Sequence, residues 1–275
     1  MKKIKITLYL ISVTLFAGLL FASPQTACAD HKGVRYLIVA SDTLLSDMAG
    51  MLLPANRFSV EAILPPGQCP GHYDVKLSDI EKIRKADLVI FFRNMPFMEK
   101  SQNRGQSMLA MDSESRNWMA PDSYLFGLNR LAVELARRFP EERNGIFKRK
   151  ENAVRLVRDE AKKLRRQAAG ITGRAVLASS QQKETLEWMG LRVAGVYGRP
   201  ESLSAKDVVR LLKIGKVQQI SAVIDNLQSG PDAGKSIAET LGKPHVVLNN
   251  FPSERGYLAT LQDNVHMVLA ALERR

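Results

Sequence analysis

Residues 141–169 read EERNGIFKRKENAVRLVRDEAKKLRRQAA, and this stretch decides the predicted fold. An apolar stripe recurs along it at helical spacing: Ala153, Val157, Ala161, Leu164 and Ala168. Apolar residues three and four positions apart lie on one face of an α-helix, and the chain restarts at Pro140, which a helix tolerates in its first turn. A continuous helix over this stretch would be roughly 44 Å long at 1.5 Å per residue, enough to join two lobes. The turn-prone pair Asn144-Gly145 could interrupt it.

Strands and helices alternate on both sides of this helix. Before it, strands are predicted at residues 34–40, 58–64 and 86–92, with helices at 44–53 and 77–85. After it, strands are predicted at 174–178, 191–197, 222–225 and 245–248, with helices at 204–212, 234–241 and 258–272. Such alternation is typical of parallel sheets. We therefore predict an α/β fold with two lobes of parallel sheet flanked by helices, joined by one long backbone helix.

The N-terminus has the layout of a secretory signal peptide. Lys2, Lys3 and Lys5 precede an uncharged apolar run at residues 6–22, and Ala27-Cys28-Ala29 forms a small-residue cleavage site. An uncleaved anchor and lipidation at Cys28 are alternatives, although residues 25 and 26 are polar where a lipoprotein signal carries an aliphatic residue. We expect cleavage after Ala29 and a location in the periplasm or at the extracytoplasmic face. The expected segments are a signal peptide (1–29), an N-terminal lobe (30–121), linking helices with the backbone helix (122–170) and a C-terminal lobe (171–275).

Charge and cysteine content narrow the class of protein. The formal net charge of +12 falls to +9 when the lysines at positions 2, 3 and 5 leave (12 minus 3). Much of the remaining positive charge lies between Arg137 and Arg166, where the only aromatic residues are Phe139 and Phe147. Nucleic-acid binding needs more aromatic side chains among the cations, so we expect a solvated helix face and no nucleic-acid partner. Contact with anionic lipid stays open. The mature chain keeps Cys69 alone and cannot form an internal disulfide; a monomer is expected.

Several short motifs narrow the class further. The N-terminal half carries Ile63-Leu64-Pro65-Pro66-Gly67, His72-Tyr73, Ser78-Asp79-Ile80 and Ala86-Asp87-Leu88-Val89. They are followed by Asn117-Trp118-Met119-Ala120-Pro121, Phe139-Pro140-Glu141 and Trp188-Met189-Gly190-Leu191. In order and spacing these motifs resemble one family of exported proteins, the periplasmic zinc- and manganese-binding proteins that serve ABC importers. The resemblance covers most of the mature chain and implies the helical-backbone periplasmic binding protein fold. It also implies a solute-binding component of an ABC importer, with a metal ion or metal complex and a membrane permease as partners.

The metal ligands of that family mostly do not carry over. His72 matches the first histidine. Arg116 and Ser179 stand where the second and third histidines are expected, and Asn249 replaces the closing carboxylate; the acidic position in the preceding strand corresponds to Asn226 or its neighbour Asp225. Zinc sites are closed by histidine, cysteine or carboxylate donors, so an intact family-type site is not expected. Arg116, Ser179, Asn226 and Asn249 remain candidate cleft-lining residues.

Other donors could replace those that are missing. Cys69 and His72 lie three residues apart on one loop and suit zinc or copper(I), although a reduced cysteine beside a loop histidine gives the same pattern. Five methionines lie between the third predicted strand and Ala120: Met95, Met98, Met108, Met111 and Met119. Thioethers favour copper(I), but methionines more often fill gaps in a core. The predicted cofactor is therefore a transition metal ion, namely zinc, manganese or copper.

Two further interpretations stay open at this stage. Arg116 with Ser179, Asn226 and Asn249 would suit a metal chelate or a small anionic solute, because a guanidinium pairs with carboxylates. A degenerate relative acting as a binding module without transport would instead have a filled cleft. An enzyme is not expected, because Cys69 with His72 is the only candidate dyad and no third group orients it.

Overall fold

The computed structural model describes residues 35–99 and 107–273 of the chain. The predicted signal peptide, residues 1–29, lies outside the described residues. Within them the chain forms eight strands and nine α-helices, with several short 3₁₀ turns between them. None of these helices combines the length and the apolar character that a bilayer crossing requires.

The N-terminal sheet has four parallel strands in the order β2-β1-β3-β4. They are β1 (Tyr36–Ala40), β2 (Phe58–Ala62), β3 (Leu88–Phe92) and β4 (Met108–Met111). The central strands β1 and β3 are continuous apolar runs, as expected of parallel strands covered on both faces. The sequence predicted β1, β2 and β3 within two residues at each end. It missed β4, whose sequence MLAM is short and rich in methionine.

The C-terminal sheet repeats this topology in the order β6-β5-β7-β8, again with parallel strands. Its strands are β5 (Ala175–Ser179), β6 (Arg192–Tyr197), β7 (Ala222–Asn226) and β8 (His245–Leu248). All four were predicted from the sequence. In both sheets the first strand of the lobe lies inside and the second lies at the edge, so the two lobes place equivalent loops at equivalent positions.

Helices cover both sheets. They are α1 (Thr43–Leu52), α2 (Leu77–Lys85), α3 (Pro96–Glu99), α4 (Pro121–Arg138), α5 (Arg143–Gln167), α6 (Lys183–Trp188), α7 (Ala205–Val217), α8 (Lys235–Leu241) and α9 (Tyr257–Glu273). Side chains fix the starts of two of them: Asp42 accepts the backbone N–H groups of Leu44 and Leu45 at α1, and Ser204 accepts that of Asp207 at α7. Helix α7 extends five residues beyond its predicted end.

The predicted backbone helix is α5, a continuous helix of 25 residues. Its 3₁₀ neighbours, Pro140–Glu142 and Ala168–Ile171, extend the connection at both ends. Asn144-Gly145 lies in the first turn and does not interrupt the helix. The buried residues of α5 are Ile146, Ala153, Val157 and Leu164, which include part of the predicted stripe. The helix therefore joins the lobes by packing its apolar face onto a core that contains residues of both sheets.

A second connection between the lobes lies in that core. The rings of Tyr124 on α4 and Tyr257 at the start of α9 are stacked with their centroids 3.6 Å apart. Tyr124 Oη donates to Asp47 Oδ2 at 2.8 Å, and the Tyr257 backbone N–H donates to Asp47 Oδ1 at 3.1 Å. Burial raises the pKa of Asp47 and that of Tyr124. Helix α4 from the middle of the chain and helix α9 near its C-terminus are thus both fastened to α1 by one partly buried carboxyl group.

Candidate functional site

A cleft of about 350 Å³ lies between the carboxyl edges of the two sheets. Polar residues that follow the strands point into it: Asn94 after β3, Ser113 after β4, Gln181 after β5, Arg199 after β6, Gln228 after β7 and Asn250 after β8. The loop after β2 contributes Pro70 and Gly71, and Leu44 near the end of β1 completes the set. Loops at the carboxyl ends of parallel strands are where α/β proteins bind their ligands. The volume is at the lower end of the range for small-molecule pockets.

The wall formed by the N-terminal lobe, here called the N-terminal wall, is largely apolar. It consists of Leu44, Pro70, Gly71, Phe92, Asn94, Met95, Pro96, Ser113, Arg116, Asn117 and Trp118. The Trp118 indole packs edge-on against Phe92, with ring centroids 4.8 Å apart. It also lies against Gly127 of α4, where an added Cβ would be 2.5 Å from the indole ring. Glycine at position 127 is therefore what allows the indole to lie flat on α4.

The C-terminal wall consists of Gln181, Arg199, Asn226, Gln228, Ser229, Asn250 and Phe251. Its amides are held by hydrogen bonds from buried neighbours. Gln182 Nε2 donates to Asn226 Oδ1 at 2.8 Å, and Asn226 Nδ2 donates to Ser229 Oγ at 2.7 Å. The Asn250 backbone N–H donates to Gln228 Oε1 at 2.8 Å. These bonds fix the amides before any ligand binds.

Two polar atoms of the cleft residues are buried without a hydrogen-bond partner among the described residues. They are Nε1 of Trp118 and Oδ1 of Asn250, one donor and one acceptor on opposite walls. A buried polar atom without a partner is rare in folded proteins and costs about 1–3 kcal/mol.

The charged residues of the cleft are both cationic. Arg116 lies on the N-terminal wall with its guanidinium 4.6 Å from the centre of the Phe126 ring. Arg199 lies on the C-terminal wall, so close to Gly71 that an added Cβ there would be 2.5 Å from Arg199 Nη1. None of the described residues that line the cleft is aspartate, glutamate, histidine or cysteine. The cleft therefore presents positive charge from both lobes.

Three acidic residues on the elements around the cleft have other partners. Glu184 accepts the Asn117 backbone N–H at 2.6 Å and the Ser123 hydroxyl, and so ties α6 to the N-terminal lobe. Asp42 caps α1 and accepts the Ser41 hydroxyl at 2.6 Å, and burial raises its pKa to about 6. Asp225 is fully buried and accepts the hydroxyl of Tyr197 at 2.7 Å, with His245 Nε2 2.6 Å away. These contacts hold all three carboxyl groups in structural positions.

The predicted ligands Cys69 and His72 lie on the rim loop rather than on the walls. The His72 side chain is 64% exposed, and its Nε2 is 3.9 Å from Glu201 Oε1 of the C-terminal lobe. Cys69 is a half-buried free thiol. Between them, Pro70 and Gly71 line the cleft. Within residues 35–99 and 107–273 no three histidine, cysteine, aspartate or glutamate side chains are grouped as a metal site requires.

The predicted cleft residues divide into two pairs. Arg116 and Asn226 line the cleft, whereas Ser179 and Asn249 do not. Ser179 is the buried last residue of β5, and Asn249 is bonded to Asn264 behind β8, where the Asn249 N–H donates to Asn264 Oδ1 at 3.0 Å. Sequence reasoning missed Gln181, Arg199, Gln228 and Asn250. Their signal was available, because each follows a predicted strand within three residues.

The methionine-rich segment mostly fills the core. Met98, Met111 and Met119 are buried, and Met108 and Met111 belong to β4. Met95 alone among the five is a described residue of the cleft lining. The interpretation that methionines fill gaps in the core therefore agrees with their positions, and Met95 alone of the five also lines the cleft.

Two parallel sheets with a shared cleft and a connecting helix define the class of two-lobed binding proteins. A family model agrees: the model described as zinc-uptake complex component A, periplasmic (ZnuA), matches residues 38–272. The chain belongs to this family, which confirms the resemblance noted in the sequence. The family consists of substrate-binding proteins rather than enzymes.

Individual relatives cover different parts of the chain. The manganese ABC transporter substrate-binding lipoprotein scaA of Streptococcus gordonii is 27% identical over 165 residues, 57% of this chain and 52% of that protein. The chain thus spans about half the length of this relative. A Thermotoga maritima protein whose description proposes metal binding is 25% identical over 99% of this chain and 100% of its own length.

Among solved structures, the Cd-bound periplasmic metal binding protein from Candidatus Liberibacter asiaticus superposes with a TM-score of 0.75 at 13% identity. The superposition covers 86% of this chain and 100% of that chain. At this identity the likeness shows the fold alone, and it confirms the predicted α/β architecture.

Proposed function

We propose that this chain is the extracytoplasmic solute-binding component of an ABC importer and that it carries a transition metal in the cleft between its lobes. One observation carries the proposal: loops from the carboxyl ends of all eight described strands, or residues next to them, meet at this cleft. Amides on its walls that are fixed by hydrogen bonds support a solute site rather than a filled relic of one. That argues against a binding module without transport.

The relatives support a transition metal as the solute. One is described as a manganese transporter component and the matching family model as a zinc-uptake component. Zinc, manganese and copper remain the candidate ions predicted from the sequence, and a Streptococcus pyogenes relative described as an iron ABC transporter component adds iron to the candidates. The membrane permease, export by the signal peptide, the monomeric state and the segment boundaries at residues 29, 121 and 170 belong to the same proposal.

Direct ligation by Cys69 and His72 stays a prediction. The two side chains offer two donors, whereas tight zinc sites use three or four. Metal titration of Cys69→Ser and His72→Ala tests it: loss of metal affinity supports ligation, and wild-type affinity in both variants contradicts it.

The test of the transport role is metal accumulation by cells that lack this gene, with the gene restored in wild-type and altered form. We expect accumulation of zinc, manganese, copper or iron to fall without the protein and to return with it. Ser113→Trp should fill the cleft and fail to restore accumulation. Ser236→Trp is the matched control, because Ser236 lies exposed on α8 away from the cleft. Equal accumulation of every metal with and without the protein would contradict the proposal.

A further inference from the structure

The lining of the cleft does not suit a bare divalent cation. Six of its described residues are neutral amides, namely Asn94, Asn117, Gln181, Asn226, Gln228 and Asn250, and two are arginines. Amide oxygens are weak donors for zinc or copper, and no carboxylate, imidazole or thiol is among the described lining residues. A bare cation would leave water for a site with two like charges, so the electrostatic energy opposes binding.

The same lining suits an anion. Within the described residues, neither guanidinium has a hydrogen bond or an ion pair; Arg116 contacts the Phe126 ring and Arg199 contacts the backbone at Gly71. Arginine pairs with carboxylates through two parallel hydrogen bonds, and its charge does not titrate in the physiological range. Because one arginine lies on each lobe, an anion with two carboxylates offers one negative charge to each wall.

The amides of the cleft suit the same kind of ligand. Those at positions 181, 226 and 228 offer donors and acceptors for the hydroxyl and carboxylate groups of a small solute. The cavity of about 350 Å³ limits the ligand to a small molecule.

We infer that the cleft binds a small hydroxy-polycarboxylate anion, with Arg116 and Arg199 holding its carboxylates from opposite lobes. When such an anion chelates a transition metal, the complex keeps a negative charge. The inference rests on the proposed function, since it names the chemical class of the solute. Two ligands have this chemistry, the free polycarboxylate and its metal complex, and the experiment distinguishes between them.

The experiment is a calorimetric titration of the purified protein. The titrants are iron(III)–citrate, citrate alone, and zinc, manganese and copper(I) ions. Tryptophan fluorescence locates the site: the chain has two tryptophans, Trp118 and Trp188, and Trp188→Phe leaves the cleft indole as the only fluorophore. We expect iron(III)–citrate to bind at one site and to change the Trp118 emission. Tighter binding of the complex than of citrate identifies a chelate, and equal binding identifies the free acid.

Charge-removing variants test the two arginines. Arg116→Gln and Arg199→Gln should each weaken iron(III)–citrate binding about tenfold or more, and the double variant should weaken it further. Arg199→Lys should recover part of the affinity, since it keeps the charge but not the paired geometry. The matched control is Arg192→Gln, at the other end of the same strand, where Arg192 Nη1 donates to Gln218. Its affinity should equal that of the wild type.

Three results would overturn the inference: no binding of citrate or its iron complex, tighter binding of bare ions, or wild-type affinity in both glutamine variants. The transport assay separates this failure from that of the proposed function. If metal accumulation still depends on the protein but not on the two arginines, the importer role stands and the anionic ligand is wrong. If accumulation does not depend on the protein at all, the proposed function itself is wrong.

Discussion

The two walls of the cleft differ, although the sheets that carry them have the same strand order. The N-terminal wall presents the side chains of Leu44, Phe92, Met95 and Trp118, and the C-terminal wall presents mainly amides. A solute between them would meet apolar surface on one side and hydrogen-bonding groups on the other. The comparison indicates that the N-terminal wall sets the shape of the site, whereas the C-terminal wall selects by hydrogen bonding.

The lobes also differ in the buried polar residue that follows their first strand. In the N-terminal lobe it is Asp42, an ionisable cap of α1; in the C-terminal lobe it is Gln182, a neutral amide that holds Asn226. Both side chains are fully buried. A carboxylate is suited to the first position because two backbone N–H groups and a hydroxyl face it. It is unsuited to the second, where acceptor oxygens face the side chain.

The largest effect is expected from Gln182→Glu, which gives the C-terminal lobe a buried acid. The new carboxylate would face Asn226 Oδ1 and the Leu248 carbonyl, which now accept from Gln182 Nε2. We expect the free energy of unfolding at pH 7 to fall by about 3–5 kcal/mol, because a buried charge without a partner costs this much. The loss should shrink in acid, since a protonated carboxyl group can donate; its folded-state pKa would lie above the unfolded value, so stability is lost as pH rises.

The control is Gln181→Glu, because position 181 is adjacent in sequence and exposed. Urea unfolding of the two variants between pH 4 and 8 makes the measurement. If both variants unfold alike at pH 7, the amide network does not stabilise the C-terminal wall.

The reverse change, Asp42→Asn, removes the ionisable cap from the N-terminal lobe. The folded pKa of Asp42 is about 6 against an ordinary value of 3.8, so the folded state binds its proton more tightly than the unfolded state. The stability contributed by the protonated group is complete below pH 4 and is lost as pH rises through 6. Asparagine keeps the capping oxygen and does not titrate. Between pH 4 and 7 we expect the wild type to lose about 2–3 kcal/mol relative to Asp42→Asn.

Denaturant unfolding at each pH measures this difference. Asp207→Asn serves as the opposite case, because hydrogen bonds with Ser204 lower the pKa of Asp207 in the first turn of α7, so its contribution to stability is lost as pH falls. A difference between wild type and Asp42→Asn that does not change with pH would show that Asp42 does not titrate in this range.

The sequence predicted the fold better than the site. Strand and helix periodicity placed seven of the eight described strands and the connecting helix, because apolar pattern reports directly on burial. Strand β4 escaped because four residues with two methionines carry little pattern. The site depends on the direction of each side chain. Ser179 is buried at the end of β5 and Asn249 is half-buried against Asn264, while Gln181 and Asn250, one or two residues further, line the cleft. Spacing along the chain does not fix which way a loop side chain points.

An intermediate effect is expected from Gly127→Ala, which alters the shape of the N-terminal wall. The new Cβ would lie 2.5 Å from the Trp118 ring, which has to move. Overpacking of this kind costs about 1–3 kcal/mol. We expect the unfolding free energy to fall and the affinity for iron(III)–citrate to fall with it, because the displaced indole narrows the cleft.

Gly215→Ala is the matched control for this change. Gly215 lies within α7 of the C-terminal lobe, and its added Cβ would also lie 2.5 Å from a side chain, the flexible end of Leu241. Both changes gain the same helix propensity from alanine. Gly215→Ala should cost less stability and leave affinity unchanged, as measured by denaturant unfolding and calorimetry. Equal affinities for the two variants would mean that the N-terminal wall does not shape the site.

The smallest effect is expected from His72→Ala at the rim, where the walls approach each other. His72 and Glu201 face each other across the cleft with side chains 64% and 62% exposed, and exposed ion pairs of this kind contribute little. We expect the unfolding free energy to change by less than about 0.5 kcal/mol in His72→Ala, and by the same amount in Glu201→Ala. A loss above about 1 kcal/mol in either variant would show that the contact between the lobes at the rim stabilises the fold. Because the substitution leaves the fold intact, metal affinity in His72→Ala reports on ligation alone. If metal affinity falls in His72→Ala, this histidine is a ligand. If affinity is unchanged, His72 is a solvent-exposed side chain and binding depends on the residues of the two walls.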